Sequence, residues 1–439
     1  MSESETIQSL NQPQVLARAK GRFFVPPASR FRIYGTPHNY LSVARDLVLN
    51  RAWEDTAPVD ALEREVAEFL GVRHALALPQ ARLGIFLAIR ALIQPGQEVI
   101  LSPYTIHDVV NMVICAGARP VFADIVPGTC NIDAAQVAAL LSERTGAVLV
   151  THLHGLACDV HEIVELCDER GIPVLEDTAQ AFGAMSRGKR LGSIGRAGIL
   201  SFGMAKNVNS FYGGMLVTND SSLHERLKRE LESFPQQAPS FLLQRVGFCL
   251  VGDVLTWRPV FDAATYWIYR YGYLRGIEAI TKRWRGEDDP QRKTAIPELY
   301  LRRMTPMQAR LVRHALPTID ADSKQRIESA RMYFEGLRDL QPRLTLPPFR
   351  DDLSHIYLAF PIEVPDRHAL LRFLTQRGRD LTIQHIGNCA DYECFAEFRR
   401  DCPNARRTGD GVLLLPTYPG YGRNEVQRNV RLIREFFES

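Results

Sequence analysis

A chain of 439 residues, 46% hydrophobic and 23% charged, holds enough apolar material for two packed domains and a substantial core, which excludes a disordered or fibrous protein. Fifty-three Lys and Arg against 50 Asp and Glu leave a net charge of only +3, too weak a bias to argue for a nucleic-acid partner. The eight cysteines, at 115, 130, 158, 167, 249, 389, 394 and 402, form no C-x-x-C pair and no zinc-ligand spacing, so a reduced, cytoplasmic chain without a metal is expected.

The first stretch, MSESETIQSLNQPQ, places no apolar run behind a basic cluster, and neither a secretory signal nor a membrane anchor is expected there. From about Ala61 to Asn219 short apolar runs alternate with amphipathic stretches. That is the pattern of crossover units that build a parallel sheet with helices on both faces. Strands are predicted at 75–78, 98–101, 119–122, 147–151, 173–175, 198–202 and 214–218, with helices at 82–92, 107–116, 134–141 and 159–170. A doubly wound α/β domain follows from this order.

Beyond Asn219 the texture changes. Residues 233–286 are dense in aromatics: Phe241, Phe248, Trp257, Phe261, Tyr266, Trp267, Tyr269, Tyr271, Tyr273 and Trp284. Charged residues such as Arg245, Asp253, Arg258, Asp262, Arg270 and Arg275 interrupt the stretch, so no uncharged apolar run is long enough to cross a bilayer. A polar break at 287–293 (EDDPQRK) precedes helices predicted at 305–316 and 323–340. Short strands at 356–362 and 412–415 and helices at 366–376 and 423–438 then describe a smaller α+β domain. The expected division is an N-terminal arm at 1–30, a large α/β domain at 31–232, an aromatic-rich insertion at 233–294, and a linker helix with the small C-terminal domain at 295–439.

The stretch from Val174 to Asp220 concentrates the chemistry. An apolar strand ends in Glu176 and Asp177, which puts a carboxylate at the carboxyl edge of a parallel sheet, where open α/β sheets bind ligands. Ser201, Lys206 and the Gly213-Gly214 pair follow. An acid, a hydroxyl and an amine at one sheet edge suit pyridoxal phosphate: its aldehyde requires an amine, its ring nitrogen a carboxylate, and its phosphate hydroxyl and amide donors. Taken singly, Lys206 also reads as a solvated surface residue and Asp177 as a helix N-cap.

The same stretch resembles the signature of the DegT/StrS family of pyridoxal-phosphate sugar aminotransferases, of fold type I. EDTAQAFGA (176–184) stands for the family's E-D-A-A-Q-A-h-G-A, and GKRLGSIGRAGILSF, AKN and GGMLVTND follow in order. The likeness extends through 95–125 and 131–160, and resumes at 303–316 and 413–421. It implies a large pyridoxal-phosphate-binding α/β domain with a smaller α+β domain, and a homodimer with shared active sites. Lys206 would then be the Schiff-base lysine, Asp177 the carboxylate on the pyridine nitrogen, Gln180 the amide near the ring hydroxyl, Ser201 a phosphate donor, and Ala179 a contact on one ring face. His152 and Gly155 match the family's H-x-x-G turn. His152 and His154, two apart on a strand, are expected to share a face and to serve packing. Relatives that act as sugar dehydratases carry His in place of the lysine, so Lys206 favours transamination, with glutamate the expected donor and a keto sugar nucleotide or related secondary-metabolite or envelope precursor the acceptor.

Four positions depart from the pattern. The family's phosphate-cradling S-x-G-T is Pro79, Gln80, Ala81 and Arg82, where the helix N-terminus remains an anion site and Arg82 offers a charged donor in place of the hydroxyl. The Asn of G-x-N-x-R-M is Leu301. Ile106 stands where an aromatic usually stacks on the ring, and Tyr104 is the expected substitute. The usual Pro-Leu-His is missing from 382–395 (TIQHIGNCADYECF). These changes strike the grip on the cofactor, and the alternative reading is a non-catalytic aminotransferase-like binding or regulatory protein that holds it weakly or not at all. The aromatic segment reads either as packing between two subunits, the preferred reading, or as peripheral contact with lipid.

Overall fold

The structure is a computed structural model describing residues 26–30, 36–49, 55–277, 280, 289–383 and 386–438. The opening stretch, most of the 1–30 arm, Trp284 and the first two residues of the polar break lie outside the described residues. Helices α1 (Pro37–Val48) and α2 (Ala57–Leu70) lead into β1 (His74–Leu78). Alternation then runs through α3 (Ala81–Leu92), β2 (Glu98–Leu101), β3 (Tyr104–Thr105), α4 (His107–Cys115), β4 (Arg119–Phe122), α5 (Ala134–Leu140), β5 (Thr145–Thr151), α6 (Val160–Asp168) and β6 (Val174–Asp177). After the small hairpin β7 (Met185–Ser186) and β8 (Lys189–Arg190) come β9 (Ala197–Ser201), β10 (Gly214–Thr218) and α7 (Ser221–Glu232).

All seven predicted strands enter one seven-stranded sheet in the order β1-β10-β9-β6-β5-β2-β4. Only β10 runs against its neighbours; the other pairings are parallel. Successive strand residues point to opposite faces. Ile199, Leu175 and Leu149 therefore pack with α3, α4 and α7 in the largest core cluster. Leu200 and Met215 face α2 on the other side, while Val148 and Val174 face α5 and α6 there. Helices thus cover both faces, as the doubly wound reading requires.

The aromatic insertion forms α8 (Pro239–Thr256), a π-helical turn (Phe261–Thr265) and α9 (Tyr266–Leu274). The chain returns through α10 (Pro306–Ala315) and α11 (Ile319–Leu337) to β11 (Phe360–Glu363), α12 (Arg367–Gln376), β12 (Thr382–Ile383), β13 (Gly387–Asn388), α13 (Pro403–Gly411), β14 (Val412–Leu415) and α14 (Arg423–Glu438). Strands β11, β14 and β12 make an antiparallel sheet whose core, around Tyr333, Tyr357 and Phe360, is walled by α11 and α14.

The strand expected at 356–362 is shorter than its pattern: only Phe360–Glu363 pairs. Leu353 and Tyr357 have left-handed φ values of 64° and 46°, which bend the preceding segment out of extension and onto the 153–158 turn of the large domain. Ile356 N–H donates there to Gly155 O. Two further links tie the C-terminal elements to the sheet edge. Strand β13 pairs with β3, Asn388 opposite Tyr104, and buried Asp124 accepts the backbone amides of Asn404 and Ala405 at 3.0 and 2.9 Å.

Candidate active site

Strand β6 separates its two carboxylates because neighbours on a strand face opposite ways. Glu176 turns into the protein, where its oxygens accept the amides of Gly192, Ile194 and Gly195 at 2.7–2.8 Å and face His152 Nε2 at 3.3 Å. Burial opposes its ionisation, yet His152 and these amides hold the carboxyl below its ordinary range. Glu176 is thus a structural clasp for the loop ahead of β9. Asp177, the last residue of β6, is buried at the sheet edge and accepts Ala179 N–H at 3.0 Å. Burial pushes its carboxyl up, opposed by the Ala179 amide and by the charge of Lys206.

Lys206 is half-buried in the β9–β10 loop, anchored by its own N–H to Gly203 O. Ala205, just before it, is left-handed at φ 61°, a conformation that costs an L-residue about 1–2 kcal/mol. The amine acts electrostatically on both Asp177 and His154, so the fold brings together the acid and the amine that the sequence paired.

The two histidines do not share a face. Strand β5 stops at Thr151, and the chain turns through His154 (φ 56°) and Gly155 (φ 77°). A Cβ on Gly155 would lie 2.6 Å from Leu358 N, so the small-domain segment pressed on this turn admits only glycine. His152 goes to Glu176 and accepts Cys158 N–H on Nδ1, which assigns its proton to Nε2. His154 points into the site. Its ring is 6.3 Å from that of Tyr104, Gln180 Oε1 fixes its backbone N–H at 2.8 Å, and burial with the charge of Lys206 lowers its imidazole to about 3.

The anion cradle forms where β10 meets α3. A Cβ on Gly214 would fall 2.5 Å from Ala81 N, so only glycine lets β10 pass this close to the helix start. Ser201 stands opposite Gly214 in register and is thereby placed beside Ala81. Gln80 is the N-cap of α3 but makes no side-chain cap bond, which leaves the first amides of the helix to another acceptor. Its Oε1 accepts Tyr212 Oη at 2.6 Å, and its Nε2 is buried with no partner among the described residues.

Arg82 does not stand alone as a substitute donor. Its Nε lies 3.1 Å from Asp108, which also receives Lys293 Nζ, Tyr300 Oη and Asn111 Nδ2. Burial opposes ionisation of Asp108, but Arg82 and Lys293 hold its carboxyl below the usual range. Two cations against one anion leave a positive balance at the start of α3. Ile106, at the N-cap of α4, packs against the main core, whereas Tyr104 is fully buried with its Oη unpartnered. Leu301 is half-buried against the same core.

Gln80 Nε2, Tyr104 Oη and His154 Nε2 are three buried polar atoms without a partner among the described residues, each costing about 1–3 kcal/mol. They lie around the sheet edge that carries Asp177 and Lys206. A ligand with an anionic group at α3 and a polar ring between Asp177 and Lys206 accounts for all three, and pyridoxal phosphate has that shape of demand. The sequence alone assigns His154 to packing and Gln80 only to the altered phosphate motif; backbone geometry shows that His154 leaves the strand and that Gln80 caps nothing.

Sheet order, acid, amine and cradle define a pyridoxal-phosphate-dependent enzyme of aminotransferase fold type I. The model of the DegT/DnrJ/EryC1/StrS aminotransferase family matches residues 39–248 and 284–434. The chain belongs to that aminotransferase family. It is similar to the spore coat polysaccharide biosynthesis protein SpsC of Bacillus subtilis, 29% identical with 88% of this chain and 92% of the relative covered. It is also similar to the dTDP-3-amino-3,6-dideoxy-alpha-D-galactopyranose transaminase of Aneurinibacillus thermoaerophilus, 27% identical with 90% and 94% covered. Among solved structures, DesV of S. venezuelae superposes with a TM-score of 0.72 at 26% identity, over 92% of this chain and 95% of that one.

Proposed function

We propose that this chain transfers an amino group, with glutamate as donor, to the keto group of a nucleotide sugar or a related envelope or secondary-metabolite precursor, and that it works as a cytoplasmic homodimer. The observation that carries the reading is the convergence of Lys206, Asp177 and the uncapped start of α3 on one sheet edge. The relatives support the acceptor class: one is a dTDP-amino-sugar transaminase and another a GDP-perosamine synthase, 39% identical over 167 residues.

In this reading the amides of Ala81 and Arg82, Gln80 Nε2 and Ser201 Oγ hold the phosphate, and the Arg82–Asp108–Lys293 group supplies positive potential beside it. Asp177 would hold the ring nitrogen, Gln180 the ring hydroxyl and Ala179 one ring face; Tyr104, two residues before Ile106, would close the other side. Bound there, the cofactor supplies a carbonyl for the amine and a ring that withdraws electrons. With the cofactor held there, Lys206 would be the amine set against that carbonyl, and its Nζ would take and return a proton as general base. Asp177, whose burial disfavours an unpaired charge, gains in the protonated ring nitrogen the partner that stabilises its ionised form.

Purified protein given pyridoxal phosphate, glutamate and a panel of UDP-, dTDP- and GDP-linked 3- or 4-keto sugars tests the function. Release of 2-oxoglutarate with at least one acceptor is expected, and its absence from every wild-type reaction contradicts the assignment.

A further inference from the structure

Helix α8 carries its charges inward and its apolar residues outward. Leu243, Phe248, Leu250, Val251 and Val254 of this helix and Trp257 just beyond it are exposed, Phe248 and Val251 each 59%. The charged residues turn the other way. Asp253 accepts Tyr40 Oη at 2.6 Å, and the Arg245 guanidinium lies over the Phe241 ring at 5.1 Å. Helix α9 repeats the arrangement: Trp267, Ile268 and Tyr271 are exposed, while Arg270 donates back to the carbonyls of Thr375 and Gln376. A surface helix of a globular protein shows the opposite polarity. Contiguous apolar faces of this kind mark interaction sites.

The occupant is set by the rim. Trp257, Trp267 and Tyr271 are exposed together with the aliphatic residues of the two helices, and so are Arg258 and Arg275. Between Pro239 and Ile277 there are four arginines and two aspartates. Both aspartates are engaged, Asp253 by Tyr40 and Asp262 by Arg258 at 2.7 Å. An apolar face edged by indoles, a phenol and guanidinium groups complements a lipid surface of negative charge. Apart from Leu243 and Phe248, the exposed residues of this face lie within 249–283, outside the two segments matched by the family's model. No helix among the described residues is long and apolar enough to cross a membrane, which leaves binding in the plane of the interface.

We propose that the outer faces of α8 and α9 dock this enzyme onto an anionic membrane surface, lying flat among the headgroups. The docking needs no cofactor, so its failure leaves transamination standing and a failed transamination assay leaves docking standing. The test is flotation of the full chain with vesicles of phosphatidylcholine alone or mixed with phosphatidylglycerol. Expected is co-flotation with the mixed vesicles, reduced by salt and on neutral vesicles, with a blue shift of tryptophan emission. The double variant Val251→Asp, Ile268→Asp should lose at least roughly tenfold in bound fraction, about 1.4 kcal/mol or more in affinity, while keeping wild-type circular dichroism and cofactor absorption. If that variant fails to fold, Phe248→Ser alone is used with the same expectation in direction. Wild type that stays with neither vesicle, or a folded variant that floats like wild type, overturns the proposal. So does wild type that ignores vesicles and elutes as a dimer while the variant elutes as a monomer, which would assign the face to a second copy.

Discussion

In the proposed site, Arg82 and Gln80 divide the work of a missing hydroxyl. Gln80 brings an unpartnered donor to the start of α3, and Arg82 brings charge that Asp108 orients without cancelling, because Lys293 shares that carboxylate. A hydrogen bond to a charged group contributes about 1.5–3 kcal/mol. Gln80→Ala and Arg82→Ala are each expected to weaken pyridoxal phosphate by about tenfold or more while changing affinity for pyridoxal, which lacks the phosphate, much less. Fluorescence titration with both ligands checks this, and equal losses on both would refute the assignment. His154 makes a second residue-level prediction. Burial puts its imidazole at about 3 and that of His355 at about 4, against roughly 6.5 in an unfolded chain. The folded chain refuses protons that the unfolded chain accepts. Both groups therefore contribute stability above pH 6.5 that is lost as pH falls from there toward 4, at about 1.4 kcal/mol per pH unit for each. Urea unfolding of His154→Phe between pH 7 and 5 should show a pH slope shallower than wild type by about that amount; parallel curves would contradict the burial argument.

At the level of elements, helix α10 buttresses the cradle. Thr305 and Gln308 form a capping box, and the Gln308 amide also donates to Tyr212 O. Tyr212 Oη in turn donates to Gln80, so the first turn of α10 is linked by hydrogen bonds to the first turn of α3. Thr305→Ala is expected to cost about 1 kcal/mol of stability, seen as a lower urea midpoint, together with weaker binding of pyridoxal phosphate; loss of stability with unchanged affinity would sever that link. Most elements were legible because period and punctuation agreed: β4, β10, β14 and α14 fall where the apolar runs and breakers put them. The strand at 356–362 failed because left-handed Leu353 and Tyr357 serve contacts with a distant turn, which no local pattern encodes. The same turn hid His154: on an extended chain it would share a face with His152, but left-handed His154 and Gly155, the latter pressed by residues 356–358, break the extension. Lys206 and Asp177 were legible through family spacing. Gln80 was not, because an N-cap that leaves its helix uncapped is recognised only from geometry.

Across the whole molecule, two cores are joined at the sheet edge that holds the site. One attachment is the Gly155 turn; the other is the segment from Ile386 to Val412, continuous with the small sheet but packed into the large core and held there by the β3–β13 pair and the Asp124 clasp on α13. Removing a buried acceptor of two amides costs about 1–3 kcal/mol for each donor left unsatisfied. Asp124→Ala should therefore split or broaden the calorimetric unfolding transition, where wild type gives one cooperative peak; an unchanged single peak would show that the clasp does not couple the two cores. Helix α8 packs through Leu242 and Cys249 on Phe211, and through Phe241 on Tyr212, so the insertion is braced on the loop that carries Lys206.

The central claim is that Lys206 and Asp177 meet one molecule of pyridoxal phosphate. Its most direct measurement is the near-ultraviolet to visible spectrum of the purified chain titrated with the cofactor, for wild type and for Lys206→Ala. Wild type should develop a saturable absorption band distinct from that of free pyridoxal phosphate, and Lys206→Ala should lack it while remaining folded. No band in wild type at excess cofactor, or the same band in the variant, would contradict the account.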